Sequence, residues 1–518
     1  MSERVRAAFL LLVAMVVGGL VMAIEVLGTR LVGTLYGTSL YVWGALISVT
    51  LVALACGYFV GGVLADWRPR AWVLYLLLGL GGAATIASPH LRGLMLPLYR
   101  ALGLRWGALA SAAAFFFVPL FLLGMTGPFV IRLLSRRVER SGMTAGMVYA
   151  LSTVGSVVGT LAVSFYLVPL LGTPLALRLV GAIVVFVCGV GLALERGAAW
   201  CLVALAAAGA FIGGRQAKDE RLELTDAHGN PFAIVYRDES AYGRLVVLET
   251  ADSRMLLADG ILQTGVPWGH YELEKARLLV EQGYYLELLP YLVEEPADKR
   301  ALVIGLAGGL LPQLLEVHGI ETLAVELDPE MVEVARRFFG YKGRAVVCDG
   351  RRFVEDCSEK FDFIVLDAYS GDVLPFHLVT REMFEAVARR LKPGGVVAMN
   401  LIADPDGEAA ASVFKTLQAV FPAVWGYRSR DDHDVQPMFY FASSREPAVS
   451  RRWMLDFPPE EGVAKLPYDL RRRRFRPRER AGRVLTDARN AVDLARAPEA
   501  LAWRERTIEE LGLDILKY

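Results

Sequence analysis

The chain changes character near Gly214. Before it, long apolar runs are separated by short polar or basic loops; after it, short β-branched runs alternate with helix-length segments. The first part contains about seven apolar runs long enough to cross a bilayer core. They are Ala7–Val32, Leu40–Ala65, Ala71–Ser88, Ala108–Leu134, Met143–Leu171, Leu175–Leu194 and Ala198–Gly213. Small residues inside them (Gly57/Gly61 and Gly155/Gly159) permit close approach of helix backbones. A signal peptide is a poor reading of the first run, because no small-residue cleavage site follows it and further spans do.

The second part begins with short strands over about 222–265. Tyr242–Glu249 and Ser253–Ala258 are joined by a polar turn at Thr250–Asp252, and the second leads into Asp259-Gly-Ile-Leu-Gln263. Four runs follow with little alternation: Ala301–Gly305, Thr322–Glu326, Ala345–Asp349 and Phe361–Asp367. That pattern predicts central parallel strands covered on both faces. Gly308–His318 between the first two is a helix-length segment opened by glycines.

Each of the four runs ends on a glycine turn or an acid, and strand carboxyl ends line the ligand crevice of an open α/β sheet. Glu326 falls about 20 residues past the glycine turn, where a carboxylate grips a ribose hydroxyl pair. Asp349 suits the adenine amino group, and Gly350 follows it. Asp367 stands at the mouth of the next strand. A dinucleotide dehydrogenase needs only the first two elements, so the ordered set points to an S-adenosylmethionine-type site. The plain alternative for Asp367 is a helix N-cap, and for Gln263 an ordinary turn residue.

Composition supports the division. The chain has 518 residues, 54% hydrophobic, with mean hydropathy +0.41, too apolar for a purely soluble enzyme. Lys plus Arg and Asp plus Glu balance at 55 each. The Arg471–Arg474 run lacks aromatic interleaving and reads as a solvated basic stretch, so nucleic acid is not an expected partner. Five cysteines without a CxxC pair and six scattered histidines give neither a disulfide framework nor a metal site. Glu25 and Arg30 are charges within a span, which are costly and often functional.

The ordered motifs resemble the spermidine synthase (aminopropyltransferase) family, and the whole chain resembles its membrane-fused branch. Asp259–Gln263 (DGILQ) is similar to the family's L-D-G-x-x-Q, and the segment from Tyr285 (YLELLPYL) to its Y-H-E-M. Val325–Asp328, Cys348–Gly350 and Val365–Ala368 match its V-E-I-D, G-D-G/A and V-D-S-S-D-P blocks in order. Phe439–Ser443 is similar to its closing strand. Glu25–Arg30, Leu123–Pro128, Tyr149–Ser156 and the segment from Leu485 resemble phrases of the fused proteins.

The resemblance implies an α-helical multi-span membrane domain (1–214), a small β domain (222–268), a Rossmann-like aminopropyltransferase domain (269–446) and a basic extension (447–518). It implies a homodimer bound to the lipid bilayer of the cell (inner) membrane. Decarboxylated S-adenosylmethionine would be the co-substrate, with no permanently bound cofactor, and putrescine or a related amine the acceptor. Asp367 is the expected general base, Gln263, Gly305, Glu326, Asp349 and Gly350 bind the nucleoside, and Tyr285, Glu287 and Asp372 bind the amine. An acid of the 431–434 loop is a further anchor for the distal nitrogen.

The departures bear on the donor. The family's G-G-G-D-G loop carries an aspartate for the donor's ammonium where this chain has Gly308. Ser370 stands at the second acid of the D-S-S-D-P block, and Asp431–Pro437 replaces P-T-Y-P-S-G. A methyltransferase using ordinary S-adenosylmethionine, or a polyamine transporter or sensor with a regulatory soluble domain, are the other functional readings. Basic loops place the N-terminus in the cytoplasm. An odd span count then puts the catalytic half outside, whereas its cytosolic co-substrate argues for the cytosol.

Overall fold

The computed structural model describes residues 3–37, 40–135, 141–197, 200, 202, 209, 221–225, 229–267, 285–286, 288–292, 298–369, 371, 374–430, 434–447, 472–478, 482–490 and 492–511. They divide between two compact units, one built on Met1–Lys218 with Asp238–Ala241, the other on Asp219–Arg237 with Tyr242–Asp514.

The first unit is helical: α1 (Glu3–Tyr36), α2 (Leu40–Trp67), α3 (Ala71–Ala87), α4 (Met95–Gly124), α5 (Thr126–Leu134), α6 (Ser141–Ala162) and α7 (Val168–Arg196). Four helical stretches are long and apolar enough to cross a membrane: Glu3–Tyr36, Tyr41–Trp67, Ala71–Leu134 and Ser141–Arg196. The last two have 64 and 56 residues, far more than the ~20 that one crossing takes. Each is interrupted by a glycine with non-helical backbone, Gly103 (φ 70°) and Gly172 (φ 70°). This is why the sequence divides them into separate apolar runs. The expected seventh run, Ala198–Gly213, lies almost wholly outside the described residues.

Small residues do set the helix packing. A Cβ on Gly155 would lie 1.8 Å from the Met15 carbonyl oxygen, and one on Gly159 2.3 Å from that of Gly19, so α1 and α6 touch through backbone. In the same unit Arg30 donates to the carbonyls of Ser240 at 2.8 Å and Ala241 at 2.5 Å.

The second unit holds two sheets. Strands β1 (Leu222–Thr225), β2 (Pro231–Glu239), β3 (Arg244–Glu249), β4 (Ser253–Ala258) and β5 (Ile261–Pro267) lie side by side in chain order. The β3–β4 turn closes with Thr250 N donating to Ser253 O at 2.8 Å. The larger sheet contains β6 (Arg300–Ile304), β7 (Glu321–Glu326), β8 (Arg344–Val347), β9 (Phe361–Leu366), β10 (Leu391–Ala403), β11 (Ala423–Arg428), β12 (Gln436–Ser443) and β13 (Arg474–Phe475). Its order is β13-β11-β12-β10-β9-β6-β7-β8, with β6 to β10 mutually parallel and β12 antiparallel to β10. This is a Rossmann-like α/β sheet.

Helices cover both faces, as the apolar runs require. Val354, Met383, Phe384, Val413 and Phe414 form one layer with the sheet, and Leu311, Leu315, Leu286, Leu288 and Leu289 the other. The helix after the glycine turn, α8 (Leu310–Val317), starts two residues later than the sequence predicts. Gly309 is left-handed (φ 74°), a conformation no right-handed helix admits. The next helix, α9 (Pro329–Phe339), has Asp328 as N-cap, Pro at its start, Arg336 and Arg337 in its last turn and left-handed Gly340 beyond it. The β1–β5 sheet packs on these two helices through Leu245, Val247, Leu256, Leu314, Met331 and Val334.

Candidate active site

The order of the parallel strands reverses between β6 and β9, so the crevice opens at their carboxyl ends. Gly305 follows β6 and Asp367 follows β9. Gly305 has φ 97°, and a Cβ there would meet the Asp367 carbonyl oxygen at 2.2 Å, so the chains cross in contact.

Two cavities meet at this crossing. Gln263, Gly305, Leu306, Ala307, Asp367 and Tyr369 line both. The first cavity adds Glu326, Asp349, Gly350, Met331 and His377. It thus gathers all six residues expected around the nucleoside and the base. The second adds Ile261, Thr264, Leu286, Asn400, Ile402 and Trp503.

The Glu326 carboxylate accepts from Leu306 N at 2.9 Å and from Asp328 N at 3.0 Å, tying the glycine loop to the start of α9. Burial raises its pKa, and these N–H groups offset only part of the rise. Asp349 caps α10 (Gly350–Asp356) by accepting from Arg352 N at 2.9 Å, and its other oxygen lies 2.9 Å from His377 Nε2. Burial raises the Asp349 carboxyl, but the Arg352 N–H and His377 outweigh it and hold the group below the ordinary aspartate value.

Asp367 caps no helix; the residues directly after it are irregular. Burial pushes its carboxyl upward, and Asn400 Nδ2, donating at 2.9 Å, pulls it partly back. Tyr369 accepts from Ile402 N at 2.8 Å and donates to Asn400 O at 3.4 Å, which fixes the segment after Asp367 against β10. Gln263 Nε2 donates to Ile261 O at 3.3 Å and Gly371 O at 3.5 Å, bridging the small sheet to that segment.

Of the residues expected to bind the amine, the structure describes Tyr285 and Asp434. Glu287, Asp372 and the acids at 431–433 lie outside the described residues. Tyr285 is 2% exposed, stacks on Phe439 at 4.6 Å and lines neither cavity, whereas its neighbour Leu286 lines the second. Its hydroxyl donates to Arg428 O and accepts from Arg473 Nη1 at 3.1 Å. Arg473 therefore turns inward from the basic run rather than standing in solvent. Sequence reasoning also missed Asn400, His377, Thr264 and Trp503. Asn400 carried a signal: it is a polar residue within an apolar strand, and buried polar groups need partners.

The spermine/spermidine synthase domain family matches residues 288–416. Over 208 residues the chain is 30% identical to polyamine aminopropyltransferase 1 of Aquifex aeolicus, covering 38% of this chain and 70% of that protein. The chain belongs to the spermine/spermidine synthase family. A polyamine aminopropyltransferase of Vibrio vulnificus is 30% identical over 176 residues, covering 32% of this chain and 58% of its own length. An N-terminal histidine N-methyltransferase of Emericella nidulans is 27% identical over 227 residues, covering 40% of this chain and 41% of its own. The chain thus spans about half the length of these last two relatives.

At Gly308, where the resemblance leads one to expect an aspartate, Thr264 fills the space beside the backbone. Gly308 N donates to Thr264 Oγ1 at 2.9 Å, and a Cβ on Gly308 would lie 2.7 Å from Thr264 Cγ2.

Proposed function

We propose that the second unit transfers an aminopropyl group from decarboxylated S-adenosylmethionine to an amine, releasing methylthioadenosine. The observation that carries this reading is Asp367 at the junction of the two cavities, held by Asn400. The first cavity takes the nucleoside, with Glu326 toward the ribose hydroxyls and Asp349 toward the adenine. The second takes the acceptor. The amine arrives as an ammonium, with a pKa near that of lysine, about 10.4. Asp367 binds it and takes a proton, a task its raised pKa favours. The neutral nitrogen then forms a bond to the propyl carbon as the carbon–sulfur bond breaks, and the sulfonium leaves as a neutral thioether. Holding nitrogen and carbon in line supplies much of the acceleration.

A second reading, methyl transfer from ordinary S-adenosylmethionine, is favoured by one observation. Gly308, packed against Thr264, stands where the resemblance leads one to expect the aspartate that binds the donor's ammonium and repels an intact carboxylate. Purified protein given decarboxylated S-adenosylmethionine and putrescine should yield methylthioadenosine and spermidine, and Asp367→Asn should bind donor but lose most turnover. Methylation from ordinary S-adenosylmethionine without amine transfer would replace the first reading with the second.

The helical unit (1–214) we read as a multi-pass anchor in the cell membrane that also supports self-association into a homodimer, with the catalytic unit in the cytosol. The small β domain (222–268), synthase domain (269–446) and C-terminal extension (447–518) follow it. Protease protection in vesicles of known sidedness tests the topology. Amine flux into liposomes, abolished by Glu25→Gln, would favour a transporter or sensor instead.

A further inference from the structure

The segment after Gly482 lies beyond residues 288–416, which match the synthase domain, yet it returns to the wall of the first cavity. Leu485, 4% exposed, pins it to two helices that cover the sheet, α11 (Arg381–Arg390) and α12 (Glu408–Gln418). The Leu485 N–H donates to Thr416 Oγ1 at 2.9 Å, and the Leu485 carbonyl accepts from Arg381 N at 2.9 Å. The chain then turns sharply, with Thr486 and Arg489 exchanging both backbone hydrogen bonds, and α13 (Val492–Leu511) follows.

Two side chains of this segment reach the same short element. Asp487 accepts from both Nη atoms of Arg351, at 2.6 and 2.5 Å, and Arg351 Nη1 also donates to the His377 carbonyl at 3.3 Å. Asn490 Nδ2 donates to the Phe376 carbonyl at 2.8 Å, while its Oδ1 accepts from Val492 N at 3.0 Å, so the two partners fix how the amide is turned. Phe376–Leu378 is a single helical turn, and Pro375, His377 and Leu378 line the first cavity. One isolated turn has too few internal hydrogen bonds to hold its own shape. Its carbonyls are held from outside the cavity, at Phe376 by Asn490 and at His377 through Arg351.

We propose that Asp487 and Asn490 are positioning residues for the nucleoside: they hold the Phe376–Leu378 turn so that Pro375 and Leu378 close an apolar wall on the purine. This rests on the reading that places the nucleoside in the first cavity. Asp487 keeps the Arg351 fork aimed by a bidentate ion pair, and Asn490 supplies an N–H. Without either, the turn moves off and purine surface returns to water. The His377 ring acts in the opposite sense, because it competes for an Asp349 oxygen. The sign of an affinity change therefore separates the wall from the imidazole.

The test uses the full chain in detergent, titrated calorimetrically with methylthioadenosine. Asn490→Asp keeps an oxygen for Val492 N but turns an acceptor toward the Phe376 carbonyl, and Asp487→Asn keeps the shape but loses the charge. Each should weaken methylthioadenosine about fivefold while the melting temperature stays within a few degrees of wild type. Asp487→Glu, which keeps the carboxylate, should recover most of the affinity. Methylthioadenosine is uncharged near neutral pH, so a salt effect on its binding reads the protein's own ion pairs. Raising salt from about 50 to about 500 mM should weaken binding to wild type more than to Asp487→Asn, which a loss of folding stability alone would not produce. If one of the two variants does not fold, the other decides. Unchanged or tighter binding in either folded variant, or equal salt dependence in wild type and Asp487→Asn, overturns the inference. If wild type itself binds no methylthioadenosine, the nucleoside-site reading fails, and this proposal with it.

Discussion

Asn400 holds Asp367: its Nδ2 donates to the Asp367 carboxylate at 2.9 Å, from the strand beside the one that Asp367 ends. Burial raises the Asp367 carboxyl, and this bond is what restrains the rise. Protonated Asp367 cannot accept the proton of the incoming amine, so activity should fall as pH drops through its pKa. Removing the donor with Asn400→Ala raises that pKa further. The acidic limb of the rate profile for methylthioadenosine release should therefore move to higher pH in the variant. A limb that stays in place would separate Asp367 from the proton transfer.

Glu326 does two things that a glutamine cannot do together. Both its oxygens accept backbone N–H groups, from Leu306 and Asp328, and the same carboxylate faces the first cavity. An amide turns a donor toward one of those N–H groups. A charged hydrogen bond contributes about 1.5–3 kcal/mol, equivalent to roughly one to two decades of affinity. Glu326→Gln should weaken methylthioadenosine binding by that factor, with a smaller fall in melting temperature as the glycine loop loosens. Calorimetric affinity equal to wild type would remove Glu326 from the nucleoside site.

Thr264 fills the space beside Gly308, the loop position at which the resemblance leads one to expect an aspartate. With a Cβ on Gly308 only 2.7 Å from Thr264 Cγ2, Gly308→Asp alone should displace β5 from the loop and lower stability. Combining it with Thr264→Ala makes room. The double variant should regain stability over the single one and shift donor preference toward decarboxylated over ordinary S-adenosylmethionine. Competition between the two donors, measured at equilibrium, reads the shift; an unchanged preference means the aspartate position does not select the donor here.

The parallel strands and the residues at their ends were legible because doubly covered strands carry an unbroken apolar signature, and the crevice lies where they stop. That logic located Gly305, Glu326, Asp349 and Asp367 at one cavity. The helix cap, the plain alternative for Asp367, falls to another aspartate: Asp349 caps α10, while Asp367 is followed by irregular chain. A strand-end acid reads alike in both cases, and only the backbone after it decides. Tyr285 shows a different limit. A motif gives residue type and order but not burial, and the ring turned into the layer with Phe439 while Leu286 faces the cavity. Trp503 had no local signal at all, since it reaches the cavity only through a distant helix that Arg496 and Arg504 fasten.

His377 and Asp349 offer a test through pH. Their 2.9 Å contact joins the cap of α10 to the short helical turn Phe376–Leu378, and with the Arg352 N–H it holds Asp349 below its ordinary value. A carboxyl depressed in the folded state contributes stability above its unfolded pKa, about 3.9, and loses it as pH falls through the folded value. His377→Ala removes part of the depression and hence part of that contribution. The variant should melt lower than wild type at pH 5 to 6, and the gap should narrow as pH drops below about 4, where Asp349 protonates in both. Both side chains are about a third exposed to solvent, so the effect should be a few degrees at most. The same substitution frees the Asp349 oxygen that an adenine amino group would use, so nucleoside affinity should hold or tighten while stability falls. A melting difference that is constant across this pH range would mean that His377 acts by packing, not through the Asp349 charge.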